Sequence, residues 1–251
     1  MSVADPLYVF VHLSKTGGTS LFRHMQRHLA SEDDLVYLGP LGDAERERLN
    51  RPPLEDRPEN ERQRVRVLIG HRVKMSTLDL VPWREPRLIF VMRDPVKRLI
   101  SKYNYQMHRQ GLSDDPVPFF TWLENLKPHA WDSAFWLCRR FLEMEADALR
   151  DVAQRQQIAN RLLERFNLVT TTERMDEDMP HVFRQLGIPS EMRRENVKGR
   201  DHKVALTPDE DVLERARQVL NPEIGFYNAW AERAPYWGPA GRPSLTDILE
   251  G

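Results

Sequence analysis

The sequence predicts an α/β fold: a three-layer domain in which a central parallel sheet is flanked by helices. Short, continuously apolar runs of strand length alternate along the chain with segments in which apolar residues recur at helical spacing. Two of the apolar runs also lead directly into polar segments, at residues 14–20 and 93–94. Polar residues at the carboxyl ends of buried strands are typical of parallel sheets that bind a ligand at that edge.

The first element is a buried strand over residues 7–13, followed by a loop and then a helix. The loop, residues 14–20, combines hydroxyl side chains, one lysine and two glycines. Glycines permit unusual backbone angles, and a helix that starts after such a loop directs its N–H groups at an anion. The sequence therefore predicts a phosphate cradle. Its lysine, Lys15, precedes both glycines, whereas the Walker A signature places the lysine directly after the last one.

Three further segments follow this unit. The pattern predicts a short strand over residues 35–38. Residues 39–64 are rich in Pro, Arg and Glu, so we expect this segment to run over the surface as an excursion from the fold. The pattern over residues 65–71 predicts a strand that enters the centre of the sheet. This strand would place His71 at the carboxyl end of the sheet, where ligands bind in open α/β folds.

A second transition from strand to helix is predicted over residues 87–107. The strand ends in Arg93, and Asp94 is expected to N-cap a helix that begins at Pro95. A helical period then divides the segment into two faces. The buried face would comprise Val96, Leu99, Ile100, Tyr103 and Met107, and a different face Lys97, Ser101, Asn104 and Tyr105.

The C-terminal half continues the alternation. Thr207 is expected to N-cap a helix through a capping box with Glu210. The other predicted elements are a helical region over 116–166, a strand over 167–171, a helix over 175–186 and a last helix from about residue 222.

Composition limits the domain count and the partners. With 251 residues, of which 40% are hydrophobic and 30% charged, the chain can bury one substantial core. We expect a single domain over 1–234 and a loosely held C-terminal tail over 235–251. The net charge of −1 gives no global attraction to nucleic acid, so nucleic acid is not an expected partner. The oligomeric state is left open.

The cellular compartment is predicted from cysteine usage and hydropathy. The lone Cys138 cannot form an intramolecular disulfide, so an oxidising compartment is not required. No apolar run reaches the length that crosses a bilayer, and the first strand begins too near Met1 to leave room for a signal peptide. We therefore expect a cytoplasmic protein without stable membrane insertion.

The loop sequence Phe-Val-His-Leu-Ser-Lys-Thr-Gly-Gly-Thr-Ser, residues 10–20, resembles the 5′-phosphosulfate-binding loop of sulfotransferases. The similar branch includes the heparan sulfate 2-O- and 6-O-sulfotransferases, with Ser14 where that family usually has proline. The resemblance implies a P-loop-NTPase-like layout, the donor 3′-phosphoadenosine-5′-phosphosulfate (PAPS), the product adenosine 3′,5′-bisphosphate (PAP) and no metal. Lys15 would stabilise the leaving oxygen. The implied 5′-phosphate site comprises Lys15 with the N–H groups of Thr16, Gly17, Gly18, Thr19 and Ser20.

Residues 88–103 resemble the 3′-phosphate site of the same family. That resemblance assigns the 3′-phosphate to Arg93 and Ser101, and the planar donor fork of an arginine suits phosphate oxygens. Lys198 and Arg200 fall where relatives fold a lid over the nucleotide. The alternatives are that Arg93 caps a neighbouring helix, that Ser101 is an ordinary surface serine, and that Lys198 and Arg200 belong to a solvated loop.

His71 is the predicted general base, which would take a proton from an acceptor hydroxyl. Ile69-Gly70-His71 resembles the strand end at which related enzymes place a catalytic histidine. The alternative is a histidine that is only hydrogen-bonded at a strand end. His12 also matches a family histidine, and its position inside the strand favours a role in orienting the loop.

The predicted function is that of an O-sulfotransferase that uses PAPS, with a carbohydrate or glycoconjugate acceptor favoured by the resemblance. A P-loop-type kinase with Asp94 as a metal ligand, and a non-catalytic nucleotide-binding module, are the alternatives. The sequence does not specify the acceptor or the position that is sulfated. Four cations near the motifs, Arg72, Lys74, Lys102 and Arg109, are candidates for attracting an acidic acceptor such as a uronic-acid sugar.

Overall fold

The computed structural model of the chain describes residues 5–29, 34–193 and 205–250. Within these residues a single sheet is formed by five parallel strands. The strands are β1 (Pro6–Val11), β2 (Leu35–Tyr37), β3 (Val67–Gly70), β4 (Glu85–Met92) and β5 (Leu168–Thr171). Their order in the sheet is β2-β3-β1-β4-β5, which leaves β1 at the centre.

Helices cover both faces of the sheet, as the sequence predicts. Alternate side chains of β1 enter two different cores, with Val9 in one and Phe10 in the other. The helices are α1 (Gly18–His28), α2 (Pro40–Arg48), α3 (Glu59–Arg62), α4 (Pro95–Arg109), α5 (Phe119–Glu124), α6 (Ser133–Trp136), α7 (Val152–Leu163), α8 (Met175–Leu186), α9 (Glu210–Val219), α10 (Asn221–Ala231) and α11 (Leu245–Glu250). Shorter 3-10 turns occur at Leu54–Asp56, Met75–Leu80, Pro128–Ala130 and Ala146–Leu149, with a π-turn at Leu137–Phe141.

The two cores give the domain its three layers. Helices α1 and α8 pack on one face, where Met25 and Met179 are fully buried. Helices α7 and α10 pack on the other face, where they contribute Ala159 and Trp230. The predicted α/β class with a central parallel sheet is therefore confirmed. No helix among the described residues is both long enough and apolar enough to cross a membrane.

Two sequence predictions about irregular regions are wrong in part. Residues 39–64 contain α2 and α3, and Leu54 is buried in the core, so this segment is anchored and is not only a surface excursion. Residues 116–166 form short helices separated by turns before the longer α7. Aromatic bulk in this region resembled a continuous helical pattern, but Pro118 and Pro128 begin new turns.

The predicted cap at Thr207 is also wrong. Helix α9 begins at Glu210, and Asp209 is its N-cap because its side chain accepts a hydrogen bond of 2.9 Å from the N–H of Val212. Aspartate is a stronger N-cap than threonine, so the nearer carboxylate takes this position. By contrast, Asp94 caps α4 as predicted, accepting from the N–H of Lys97 at 2.8 Å.

The segment after Pro235, predicted to be loosely held, makes specific contacts. Tyr236 forms an antiparallel bridge with Val169 of β5, with an N–H to carbonyl distance of 3.0 Å in each direction. Helix α11 buries Ile248 completely. The edge strand β5 gains a hydrogen-bonding partner in this way, a need that follows from the position of β5 in the sheet and not from the local sequence.

A buried ion pair joins α4 to α10. Arg98, 1% exposed, donates to Glu223 Oε1 at 3.2 Å, and Glu223 Oε2 accepts from the N–H of Ser133 at 2.9 Å. The carboxylate thus has a cation and a backbone donor although it is out of contact with water. Paired in this way, the charge can remain in the core, whereas alone it would be strongly destabilising.

Replacing Arg98 by methionine is expected to lower the free energy of unfolding by about 3–5 kcal/mol, because Glu223 would remain buried without its cation. Urea denaturation followed by tryptophan fluorescence measures the change. Lys97→Met, at the adjacent exposed position of α4, is the matched control and should change stability by less than about 0.5 kcal/mol. Equal effects of the two substitutions would contradict a special role for the buried pair.

Candidate active site

The candidate site lies at the carboxyl ends of three neighbouring strands. His71 follows β3, the loop of residues 12–17 follows β1, and Arg93 follows β4. Because β3, β1 and β4 are adjacent and parallel, their carboxyl ends meet at one edge of the sheet. Two of the predicted site residues and the loop are thereby brought together, although as many as 78 positions separate Lys15 from Arg93.

The loop has the backbone conformation that a phosphate cradle needs. Lys15 and Gly17 both adopt positive φ angles, 68° and 85°, and Gly17 is the N-cap of α1. The first hydrogen bond that closes a turn runs from the N–H of Leu21 to the carbonyl of Gly17 at 3.2 Å. The N–H groups of Gly18 and Thr19 therefore have no acceptor within the helix, and they carry the partial positive charge of its N-terminus.

The hydroxyl of Thr16 has a structural task. Thr16 is fully buried, and its Oγ1 donates to the carbonyl of Leu13 at 2.8 Å. The same oxygen lies 3.5 Å from Nδ1 of His12. The side chain of Thr16 thus fastens the loop to the end of β1, which leaves only its backbone N–H for the role that the sequence assigns to it.

His12 lies between the loop and His71. A Cβ atom at Gly18 would lie 2.1 Å from Nε2 of His12, so the ring fills the space beside this glycine. The rings of His12 and His71 stack with centroids 4.3 Å apart and 26° between their planes. The carbonyl of His12 lies 2.7 Å from Nδ1 of His71. His12 therefore positions both the loop and the candidate base.

This contact determines the tautomer of His71. A carbonyl oxygen can only accept a hydrogen bond, so Nδ1 of His71 carries the proton and donates it to His12. Burial lowers the pKa of His71 below 6.5; the bond to His12 opposes this shift, and the positive charge of Lys102 adds to it. Near neutral pH the ring is uncharged with a lone pair on Nε2, which is the form that a general base requires.

The pKa of His12 lies well below 6.5. Burial is the main cause, and the neighbouring His71 and Lys15 lower it further. His12 is therefore neutral as well and adds no positive charge to the site. This agrees with its predicted role of orienting the loop without transferring protons.

Arg93 and Lys15 are in contact. Nη1 of Arg93 donates to the carbonyl of Lys15 at 3.0 Å, which supports the loop at its strained positive-φ residue. Nζ of Lys15 lies 4.2 Å from the ring centre of Tyr105 on α4. Burial lowers the pKa of Lys15, and Arg93 lowers it further through charge repulsion.

The charges here are not balanced by acidic side chains. Within the described part of the chain, no ion pair joins a carboxylate to Lys15, Arg93 or Lys102. Burial lowers the pKa of Arg93, although Glu173 and Asp94 are near enough to oppose the shift. Several cations that share a partly buried site without a carboxylate partner form a site for an anion.

Ser101 lies on the side of α4 that faces the loop. It precedes Tyr105 by one helical turn, and Tyr105 contacts the Lys15 ammonium. Ser101 is half-buried, and its hydroxyl makes no hydrogen bond with any described residue. Ser101 and Tyr105 thus share one face of α4, whereas Asn104, predicted on the same face, forms hydrogen bonds with Leu206. The contact between Tyr105 and Lys15 was not predicted from the sequence.

A cavity of about 340 Å³ opens beside the loop on the α4 side. It lies next to the Lys15 ammonium, so a molecule bound in it would be adjacent to the phosphate cradle. The lining residues come from the loop and from α4. They are Ser14, Lys15, Lys102, Tyr105, Gln106, Arg109 and Gln110.

Other predicted residues are placed differently or are not described. Lys198 and Arg200 lie outside the described residues, so their assignment to a lid stays a prediction. Arg72 pairs with Asp43 and Lys74 with Glu143, each at 2.8 Å, so both cations already have a carboxylate partner. Lys102 and Arg109 lack such a partner among the described residues. The roles assigned to the loop, His71, Arg93 and Ser101 also stay predictions, although their positions allow them.

No protein-family model and no curated protein matches this chain. Among the solved structures that are similar to it are two sulfotransferases. A sulfotransferase from Alicyclobacillus acidocaldarius aligns over 92% of this chain and 97% of its own, with 17% identity and a TM-score of 0.46. The mouse sulfotransferase SULT7A1, complexed with PAP, aligns over 99% and 75%, with 14% identity and a TM-score of 0.39. At these values the activity has to be argued from the residues of the site.

Replacing Gly18 by alanine is expected to cost about 1–3 kcal/mol of stability, because the new methyl group would overlap the ring of His12. It should also weaken nucleotide binding, since His12 must move. Thermal unfolding and calorimetry measure the two effects. Gly225→Ala is the control, because a Cβ there meets nothing within 4 Å. Normal stability and binding in Gly18→Ala would show that the packing of His12 is not required.

Proposed function

We propose that this chain is a sulfotransferase that moves a sulfuryl group from PAPS to an acceptor hydroxyl. One observation carries the proposal. A candidate phosphate cradle, two cations that pair with no carboxylate of the described residues, and a neutral histidine with a free Nε2 converge at the carboxyl edge of β3, β1 and β4. This arrangement combines an anion site with a general base, which is the minimum that transfer to a hydroxyl requires.

The residues present fit a nucleotide with phosphates at both its 3′ and 5′ positions. The N–H groups of Gly18 and Thr19 and the ammonium of Lys15 supply donors for one phosphate at the start of α1. Arg93 and Ser101, at the adjacent strand end and on the helix that follows, supply donors for the other. PAPS, when bound, supplies an activated sulfuryl group on its 5′-phosphate. A second phosphate subsite is the feature that ATP would not need.

His71 would act on the acceptor. Its Nδ1–H is held by the carbonyl of His12, so its Nε2 can take the proton of the acceptor hydroxyl as that oxygen attacks. The stacked ring of His12 restricts the imidazole plane. Such restriction supports catalysis because a base must be held close to its productive geometry.

Lys15 would stabilise the negative charge that develops on the leaving phosphate oxygen. It precedes Gly17 and Gly18, and Thr19 occupies the position directly after the last glycine, where Walker A proteins have their lysine. Asp94, the metal ligand that a kinase would require, uses a carboxylate oxygen to cap α4. These placements favour sulfuryl transfer over a P-loop kinase.

The acceptor is proposed to be a carbohydrate or glycoconjugate. One support is the sequence of residues 10–20, which is similar to that of the glycan-modifying branch. The other is Tyr105, whose exposed ring borders the cavity. A cytoplasmic location is proposed as well. Its support is the single, buried Cys138, which needs no oxidising compartment.

Isothermal titration calorimetry with PAP and with ATP tests the donor. We expect PAP to bind at least tenfold more tightly, because only PAP engages the Arg93 subsite. Arg93→Gln should remove most of this difference, whereas Arg72→Gln, a surface control paired with Asp43, should not. Tighter binding of ATP would favour the kinase. Tight PAP binding without transfer of labelled sulfate to any acceptor in a panel of glycans would favour the non-catalytic module.

Replacing His71 by asparagine tests the base. The amide can still donate to the carbonyl of His12, but it offers no basic nitrogen, so kcat should fall by about 10²–10⁴-fold with PAP affinity unchanged. In the wild type, kcat/KM should fall as the pH drops through the pKa of His71, which lies below 6.5, because protonation removes the lone pair. Near-normal turnover in His71→Asn, or an unchanged acid limb, would assign the base to another residue.

A further inference from the structure

We infer that the cavity beside Lys15 is an acceptor site for a hydroxyl compound that bears a carboxylate, with Lys102 and Arg109 as its anion-binding residues. The inference rests on the proposed function, and it narrows the acceptor to an acidic one. Lys102, Tyr105, Gln106 and Arg109 occur at intervals of three and four residues, so they lie on one face of α4. That face lines the cavity together with Lys15.

The charges distinguish this face from the other basic residues near the site. Arg72 and Lys74 are each paired with a carboxylate at 2.8 Å. In contrast, no carboxylate in the described part of the chain forms an ion pair with Lys102 or Arg109. Unpaired cations that border a cavity attract an anionic ligand, and a guanidinium can bind a carboxylate through two parallel hydrogen bonds.

Lys102 is held in place for this role. Its Nζ donates to the carbonyl of Ala130 at 3.1 Å, which uses one of three N–H groups and leaves two for a ligand. Burial lowers the pKa of Lys102 to about 8, with a further contribution from Arg98. A bound carboxylate would stabilise the charged form of Lys102 and offset part of the desolvation that lowers its pKa.

Tyr105 and Gln106 complete the site. The ring of Tyr105 is 47% exposed and lies between two cations, with Nζ of Lys15 at 4.2 Å and Cζ of Arg109 at 5.9 Å from its centre. Gln106 accepts from Nε1 of Trp122 at 2.8 Å through its oxygen, which leaves its amide N–H groups as donors. An aromatic surface with amide donors suits a hydroxylated ring.

The position of the cavity favours the acceptor over the donor. The phosphate cradle lies at the start of α1, whereas the cavity extends from Lys15 along α4. Lys102 is also close enough to His71 to lower its pKa. A carboxylate bound at Lys102 would offset that effect and make His71 a stronger base when the acceptor is present. The volume of about 340 Å³ is at the small end of ligand pockets, which suits a compact acceptor.

The test compares p-nitrophenyl β-D-glucuronide with its primary amide, which differ in charge but hardly in shape. Calorimetry measures their binding with and without PAP, and transfer of labelled sulfate from PAPS measures turnover. We expect the glucuronide to bind at least about tenfold more tightly than the amide. Lys102→Met and Arg109→Gln should each lower glucuronide affinity about tenfold and leave amide and PAP affinities within about twofold. Lys74→Met, which removes a cation already paired with Glu143, is the control.

The outcomes separate the two levels of the proposal. Equal binding of glucuronide and amide, while PAP binds tightly, would overturn the acidic acceptor and leave the sulfotransferase proposal intact. A loss of PAP affinity in Lys102→Met would assign these cations to the donor and would also overturn the inference. Failure of the wild-type chain to bind PAP would overturn the proposed function and the inference with it.

Discussion

The packing of His12 is the constraint on which the candidate site depends. Its ring fills the space that a side chain at residue 18 would occupy, and it stacks on His71. Its carbonyl holds Nδ1 of the same histidine. The phosphate loop and the candidate base are therefore two parts of one packed unit. Gly18 leaves room for the ring of His12, and His12 in turn holds His71. The position of the His71 ring and its tautomer both follow from its contacts with His12.

The second organising feature is the separation of charges. Two buried cations of the core have carboxylate partners: Arg98 pairs with Glu223 and Arg155 with Asp132. At the carboxyl edge of the sheet, Lys15, Arg93 and Lys102 form no ion pair with a carboxylate of the described residues, although the whole chain carries a net charge of only −1. Local placement and not overall composition therefore creates the anion site. An anionic ligand at this edge would stabilise the unbalanced charge.

Most of the sheet could be predicted because its strands are buried on both faces and so consist of continuous apolar runs. The polar stripe of α4 and its Asp94 cap followed from helical spacing and local capping chemistry. Arg98 was not foreseen, because a charged residue within a helix is usually exposed, and its partner Glu223 is 125 positions away. The contacts of Tyr236 were missed for the same reason, since its partner in β5 is distant in the chain.

The sequence by itself determined the local conformation of the site: a glycine loop that precedes a helix, an arginine at a strand end, and a histidine after another strand. These features depend on neighbouring residues, so a linear pattern can report them. Only the tertiary structure decided which cations of the described residues pair with a carboxylate. It paired Arg72 and Lys74 with carboxylates and left Lys102 and Arg109 beside the cavity. Ion pairs between distant residues depend on three-dimensional proximity, and the order of residues does not encode that proximity directly.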